Sequence, residues 1–177
     1  MKIILSTIAC KLMFECEIAG KLETNVQKYL PAINDTVVGI VKAFRSNAYV
    51  VDIGTTSTAA LSLFTFEGAR EQLSPNFLVG SVICARVVNL SLAGEPILSC
   101  KNINGLAHDL GIIRHGYLFW CRFHVLQELM SGGGVSAMSR LGDAIPFEGV
   151  LGNNGYLWIS ASKKKNIILA VRALLGK

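Results

Sequence analysis

Charged residues are scarce in this sequence, and long hydrophobic runs are absent. Only 16% of the 177 residues are charged, whereas 51% are hydrophobic. This composition excludes a disordered chain, since disorder requires few apolar and many charged residues. No apolar run approaches the ~18 residues that span a bilayer, so we expect a soluble protein without membrane contact. The length suits one large domain or two small ones.

The N-terminal segment has no clear cleavage site for a signal peptidase. Residues 3–10 form a short apolar stretch after Lys2, which superficially resembles a secretion signal, but Lys11 follows at once. A further strand-like run, residues 12–18, comes next. We therefore interpret the start of the chain as a first β-strand.

The cysteines form no CxxC pair and no metal-binding pattern. They lie scattered in apolar runs, as Cys10, Cys16, Cys84, Cys100 and Cys121. An odd, scattered set of this kind indicates buried free thiols in a reducing compartment. Structural zinc needs four closely spaced ligands, and the three histidines do not complete such a set. We expect no metal and no cofactor.

The acidic residues do not form a catalytic pattern either. Hydrolytic nucleases generally need several carboxylates that converge on two metal ions. Here the acids are scattered along the chain, and Glu15 and Glu17, which alternate on one predicted strand, lack a third partner nearby. No Ser/His/Asp arrangement is evident. The sequence therefore argues against an enzyme.

Positive charge is concentrated in the second half of the chain. The formal net charge is +5, and residues 103–177 carry eight Lys/Arg against four acids, a net charge of +4. Such a distribution is compatible with a phosphate-backbone partner. It is equally typical of a moderately basic soluble domain, so charge alone does not decide between the two.

Turn residues divide the middle of the chain into five short predicted strands. They cover residues 37–41, 48–53, 59–63, 81–90 and 96–100. Strands of this length, with a turn every ten or so residues, favour a small barrel over a βαβ unit.

The pattern changes near residues 104–105. We predict a strand at 117–123, a helix at 125–130 that ends at a glycine run, strands at 146–151 and 156–160, and a helix at 162–175. Asn-Gly between the last two strands is a strong hairpin pattern. Lys163, Lys164 and Lys165 in the first turn of the last helix oppose its dipole, which hints at a function for the charge. A solvated helix end is the simpler interpretation.

The predicted barrel resembles an S1 domain, an oligonucleotide-binding (OB-fold) barrel. The resemblance is carried by Gly39 in the first strand, Ala48-Tyr49-Val50 in the second and Gly80-Ser81-Val82 at the start of the fourth. It implies binding of single-stranded RNA, in which an exposed aromatic stacks on a base and cations follow the phosphates. Tyr49 matches the stacking aromatic, although a half-buried barrel tyrosine is an equal alternative.

The same resemblance implies candidate cations for the RNA backbone. They are Lys42, Arg45, Arg86 and Lys101 in the barrel; Lys163, Lys164 and Lys165 are further candidates because of their charge, independently of the resemblance. Ser46-Asn47 and Ser62 stand where the family has an aromatic and a histidine. We therefore expect weak, salt-sensitive RNA affinity.

The whole chain resembles the S1/KH cap subunits of the eukaryotic RNA exosome. The motifs are Lys28-Tyr29-Leu30-Pro31, Phe66-Glu67-Gly68-Ala69, Ser74-Pro75-Asn76 and Gly152-x-Asn154-Gly155-Tyr156-Leu157-Trp158-Ile159. The resemblance implies a short N-terminal β segment (1–35), a five-stranded S1 barrel (36–102) and a KH-type α/β domain (103–177). It also implies a structural role for Gly152, Asn154, Gly155 and Trp158, near the contact between barrel and KH domain.

The expected function follows from this resemblance. It is a non-catalytic, RNA-binding cap subunit that guides single strands to a ring of RNase PH-like subunits, with other exosome components as partners, in the nucleus, nucleolus and cytoplasm. The alternative is an S1 protein of ribosomes and translation, acting outside the exosome.

Overall fold

The structure, a computed structural model, describes residues 3–5, 28–63, 77–102, 104–106, 109–131 and 141–175. The strands within these ranges are β1 (Ile3–Leu5), β2 (Thr36–Arg45), β3 (Ala48–Asp52), β4 (Ala59–Ser62), β5 (Val82–Leu90), β6 (Pro96–Ser99), β7 (Gly111–Ile113), β8 (Tyr117–Trp120), β9 (Glu148–Leu151) and β10 (Tyr156–Ser160). The helices are α1 (Phe123–Met130) and α2 (Lys164–Leu175). A helical turn also covers residues 141–144.

Strands β2 to β6 form a closed barrel in the order β2-β3-β4-β6-β5, because β5 pairs back onto β2. The pairings are antiparallel except for β4 with β6. All five strands lie where the sequence predicts them, so the predicted five-stranded OB-fold barrel is confirmed. The sequence did not predict β7, which pairs with the start of β5.

The barrel interior is filled by the alternate side chains of its strands. Val37, Leu61, Ile83 and Leu98 are completely buried there. Such alternation is what a two-residue side-chain period produces when one face of each strand lines a core. A register shift between Val41 and Ala43 marks a bulge in β2, and bulges of this kind increase the bend of a barrel strand.

The second half is a four-stranded sheet in the order β1-β9-β10-β8, with α1 and α2 packed against it. Leu157 and Ile159 face the helices and share a core with Ile167 and Ala170 of α2. The prediction of a strand-rich region with helices after the barrel is confirmed. The predicted strand 117–123 ends earlier, at Trp120, because α1 begins at Phe123.

The two sheets meet through a small apolar cluster. Val38 and Cys84 of the barrel contact Val150 and Trp158 of the second sheet. A Cβ on Gly116 would overlap the indole of Trp158, so the missing side chain at Gly116 makes room for that ring.

The N-terminal strand joins the C-terminal half. Ile3 and Leu5 of β1 pair in parallel with Gly149 and Leu151 of β9. The other predicted N-terminal run, Cys10, Cys16 and the Phe66-Glu67-Gly68-Ala69 and Ser74-Pro75-Asn76 motifs lie outside the described residues. The domain boundaries therefore stay a prediction.

Candidate nucleic-acid interface

Three aromatic rings form a column from the buried barrel core to the surface. The ring centroid of Tyr49 lies 4.9 Å from that of Phe44 and 5.0 Å from that of Phe77. The Tyr49 hydroxyl also accepts a hydrogen bond of 3.2 Å from the Phe77 backbone N–H. Phe44 and Tyr49 are paired across the β2–β3 hairpin and therefore share a face.

Within this column, Tyr49 is only 4% exposed, whereas Phe44 is 51% exposed. Of the two interpretations of Tyr49, an exposed stacking aromatic and a barrel tyrosine, the structure supports the barrel tyrosine, because neighbouring rings cover its side chain. Phe44 is the aromatic side chain of this column that a nucleotide can reach. The hairpin register could have revealed it, since Ser46 and Asn47 form a two-residue turn, with φ of 48° and 63°, that sets Phe44 opposite Tyr49.

Two of the predicted cations lie near Phe44. Arg45 follows it directly and is exposed at the end of β2. Lys42 pairs with Asp52, with an Nζ–Oδ2 distance of 3.3 Å, and the Lys42 side chain stays 52% exposed. A pair this exposed contributes little stability, so Lys42 can exchange the carboxylate for a phosphate at small cost.

The other two barrel cations lie at the opposite end. Arg86 is the register partner of Thr36, nine residues before Arg45 and so about 30 Å along the strand. Its guanidinium donates to the Asn34 side chain (2.8 Å) and to the Lys101 carbonyl (3.3 Å). The four candidate cations of the barrel therefore lie in two groups, Lys42 with Arg45 towards the end of β2 and Arg86 with Lys101 near its start.

Lys163, Lys164 and Lys165 are exposed at the start of α2, in the second half of the chain. They lie at the start of a helix that packs on the second sheet, whereas the other candidate cations lie on the barrel. The structure thus divides the predicted RNA-binding residues among three places.

The Gly152-Asn153-Asn154-Gly155 loop is a joint between the two sheets. The Asn154 side chain donates to the carbonyls of Val38 (2.7 Å) and Ile53 (2.9 Å) and accepts from the Val38 N–H (3.2 Å). All four loop residues are buried. The loop therefore does not offer its backbone amides to a nucleic acid, unlike the GxxG loop of ordinary KH domains.

A buried carboxylate ties this joint to the segment before the barrel. Asp35 accepts hydrogen bonds from the Tyr29 hydroxyl, the Ala32 N–H and the Asn153 side chain, the last at 2.8 Å. The Asn153 N–H in turn donates to the Thr36 carbonyl (2.8 Å). Loop, barrel and preceding segment are thus connected by polar groups with satisfied hydrogen bonds.

The ionisable groups of the described residues form no cluster of metal ligands. No group of three or more His, Cys, Asp or Glu side chains converges in that part of the chain. Cys84, Cys100 and Cys121 are free and buried, and burial raises the pKa of each thiol to about 12. Thiols of this kind are poor nucleophiles. Within the same ranges, no helix combines the length and hydropathy that crossing a bilayer requires.

These features define the protein as an S1-type OB-barrel protein, with a strand-rich second half attached through a buried loop. Residues 29–111 match the family model described as "Exosome complex component RRP40, S1 domain". This segment is therefore similar to the S1 domain of the RRP40 family.

Sequence comparison extends the likeness beyond the barrel. Exosome complex component RRP40 of Drosophila melanogaster is 34% identical over 148 residues, which cover 84% of this chain and 63% of the relative. Its counterpart in Homo sapiens is 31% identical, over 84% of this chain and 54% of the relative. The chain thus spans about three fifths of the length of the curated relatives it matches. The predicted resemblance to exosome cap subunits is confirmed at the level of the RRP40 family.

A solved structure shares the fold. The crystal structure of a "putative exosome complex RNA-binding protein" superposes with a TM-score of 0.68, over 85% of this chain and 87% of that chain. The two sequences are 18% identical, so the likeness concerns the architecture of barrel and second sheet.

Proposed function

We propose that this protein is a non-catalytic, RNA-binding cap subunit of an exosome, which guides single-stranded RNA to a ring of RNase PH-like subunits. The observation that carries the proposal is the RRP40-type S1 barrel, in which the ring of Phe44 is exposed and the exposed Arg45 follows it at the end of β2. An exposed aromatic ring with a cation close to it in the chain suits an unpaired base and its phosphate. Within the RRP40-like group, the motifs favour exosome component three, the forty-kilodalton-class subunit of ribosomal-RNA processing.

The partners and the cellular location follow from the same proposal. Other exosome components are the expected partners, in the nucleus, nucleolus and cytoplasm. The scattered acids and the buried thiols support a role without bond cleavage. Degradation from the 3′ end is then a property of the assembled complex.

Affinity capture of the full chain from cells of its source tests the assignment. We expect RNase PH-like subunits in stoichiometric amounts. Recovery with ribosomes and never with the ring would favour the translation alternative. Metal-dependent cleavage of RNA by the pure chain would overturn the non-catalytic role.

A pair of arginine variants tests the barrel surface with a matched control. We expect Arg45→Gln to weaken binding of a labelled single-stranded RNA and to lower the salt dependence of log K by about 0.7, as for one lost phosphate contact. Arg86→Gln removes the same charge from the other end, where the guanidinium is engaged by Asn34 and Lys101. We expect Arg86→Gln to lower the free energy of unfolding and to leave the salt dependence of log K for RNA unchanged. Equal effects of both variants on RNA binding would contradict the proposed surface.

A further inference from the structure

The second sheet carries a group of exposed cations that the barrel surface does not use. Arg114 precedes β8, and Lys163, Lys164 and Lys165 begin α2. All four are exposed, and none forms an ion pair with another residue in the ranges the structure describes.

The fold brings these cations to one end of the sheet. The Ser160 hydroxyl at the end of β10 donates a hydrogen bond of 2.7 Å to the carbonyl of His115. Arg114 is the neighbour of His115, and Lys163 follows Ser160 by three residues, hence within about 11 Å of it. Two segments that are almost fifty residues apart in sequence therefore meet at this end.

An aromatic ring lies on the same part of the surface. Tyr117 is 50% exposed and is the register partner of Ile159. Paired residues share a face of the sheet, and Ile159 faces α2, where it packs on Ile167. Tyr117 therefore lies on the face that α2 covers, beside the end of β10 from which the three lysines follow.

The position of the lysines is unfavourable for the isolated helix. Cations in the first turn oppose the helix dipole and so destabilise the isolated helix. No acidic residue in the first turn offsets them. Binding of an anionic partner would offset these charges.

We propose that Arg114, Tyr117, Lys163, Lys164 and Lys165, here termed the β8 patch, form a second contact surface for single-stranded RNA. The lysines and Arg114 bind phosphates, and the Tyr117 ring stacks on a base. An exposed ring among unpaired cations favours unpaired RNA over an acidic protein segment, because stacking needs a free base. The inference rests on the proposed function and extends the RNA path from the barrel to the second sheet.

Fluorescence anisotropy of the full chain with a labelled 15-nucleotide oligouridine tests the β8 patch. We expect the triple variant Lys163→Gln/Lys164→Gln/Lys165→Gln to lower the salt dependence of log K by about 2, at about 0.7 for each lost contact. We expect Tyr117→Ala to raise Kd about five- to a hundredfold. Arg172→Gln, at the other end of α2, should leave both quantities unchanged.

Two further measurements separate binding from folding. The triple lysine variant should unfold at a higher temperature than the wild type, because it removes the unfavourable charges, so weaker binding cannot be ascribed to loss of structure. An RNA duplex should respond to the lysine variant but not to Tyr117→Ala, since its bases are paired.

The outcomes also separate this inference from the proposed function. If Phe44→Ala weakens binding while the lysine and Tyr117 variants bind as the wild type does, the β8 patch is refuted and the proposed function stands. If the wild-type chain does not bind the oligonucleotide at all, both are overturned.

Discussion

The side chain of Asn154 forms two hydrogen bonds with the backbone of Val38, although the residues lie 116 positions apart. It accepts from the Val38 N–H and donates to the Val38 carbonyl, as a neighbouring strand would. A third bond, to the Ile53 carbonyl, completes its pairing. This amide thus adds three hydrogen bonds to the apolar contact between the second sheet and the barrel.

Replacing this amide should weaken the whole molecule. Asn154→Ala leaves two carbonyls and one N–H buried without a partner, and we expect a loss of about 3–5 kcal/mol in the free energy of unfolding. Urea denaturation with two-state analysis measures it. Asn104→Ala, at an exposed position, is the control and should change stability by less than about 0.5 kcal/mol. A similar small change for Asn154→Ala would show that the joint contributes little.

A second prediction concerns the contact between Gly116 and Trp158. Gly116→Ala would drive a methyl group into the buried indole, and overpacking of this kind costs about 1–3 kcal/mol. Gly149→Ala is the control, because its Cβ would meet its nearest neighbour, the Phe147 ring, at 3.4 Å. Denaturation curves of both variants provide the comparison.

The cost at Gly116 should depend on the indole itself. In a Trp158→Phe background, the smaller ring leaves room, so Gly116→Ala should cost less than in the wild type. Additive effects in this double-mutant cycle would rule out direct contact as the cause.

Substitutions of the two paired aromatic residues should have different effects, one on RNA binding and the other on stability. We expect Phe44→Ala to weaken binding of single-stranded RNA by about 1–3 kcal/mol with little effect on folding, because the Phe44 ring is half exposed. Tyr49→Ala should instead destabilise the barrel by about 3–5 kcal/mol, as large-to-small changes in a core do. Anisotropy and urea denaturation of the same samples distinguish the two effects.

A matched control for Phe44→Ala is Leu106→Ala, which removes a side chain that is also half exposed and apolar. It should leave RNA affinity unchanged. If both variants weaken binding equally, the loss reflects general surface hydrophobicity and not stacking on Phe44.

The buried thiols predict a loss of stability at high pH. The pKa of Cys84 rises from 9.0 to about 12, chiefly through burial and secondarily through Asp109. Between pH 9 and 12 the unfolded chain has lost this proton while the folded chain retains it. The free energy of unfolding should therefore be independent of this group below about pH 8 and fall above pH 9, by up to about 1.4 kcal/mol per pH unit.

Comparison with Cys84→Val isolates the contribution of this thiol, since lysines and tyrosines titrate in the same range. The variant should show a shallower decline between pH 9 and 10.5 than the wild type. Parallel curves for the two proteins would mean that Cys84 ionises in the folded state as readily as in the unfolded state.

The sequence by itself determined the strands of the barrel and the hairpin that follows it. These depend on local requirements: Gly155 and Asn47 occupy positive φ angles of 79° and 63°, which few residues tolerate. A segment in which apolar and polar residues alternate between two such turns forms a β-strand. For this reason the predicted strands and those of the structure agree closely.

Only the tertiary structure decided which residues are exposed at the site. Tyr49 is buried and Phe44 exposed because barrel closure covers one member of a pair that the hairpin register places side by side. Likewise, Arg86 of β5 pairs with the start of β2 whereas Arg45 lies at the end of β2, and the pairing of β8 with β10 brings Arg114 and the lysines of α2 to one end of the second sheet. Burial and proximity arise from contacts between segments distant in the chain, so local patterns do not contain them.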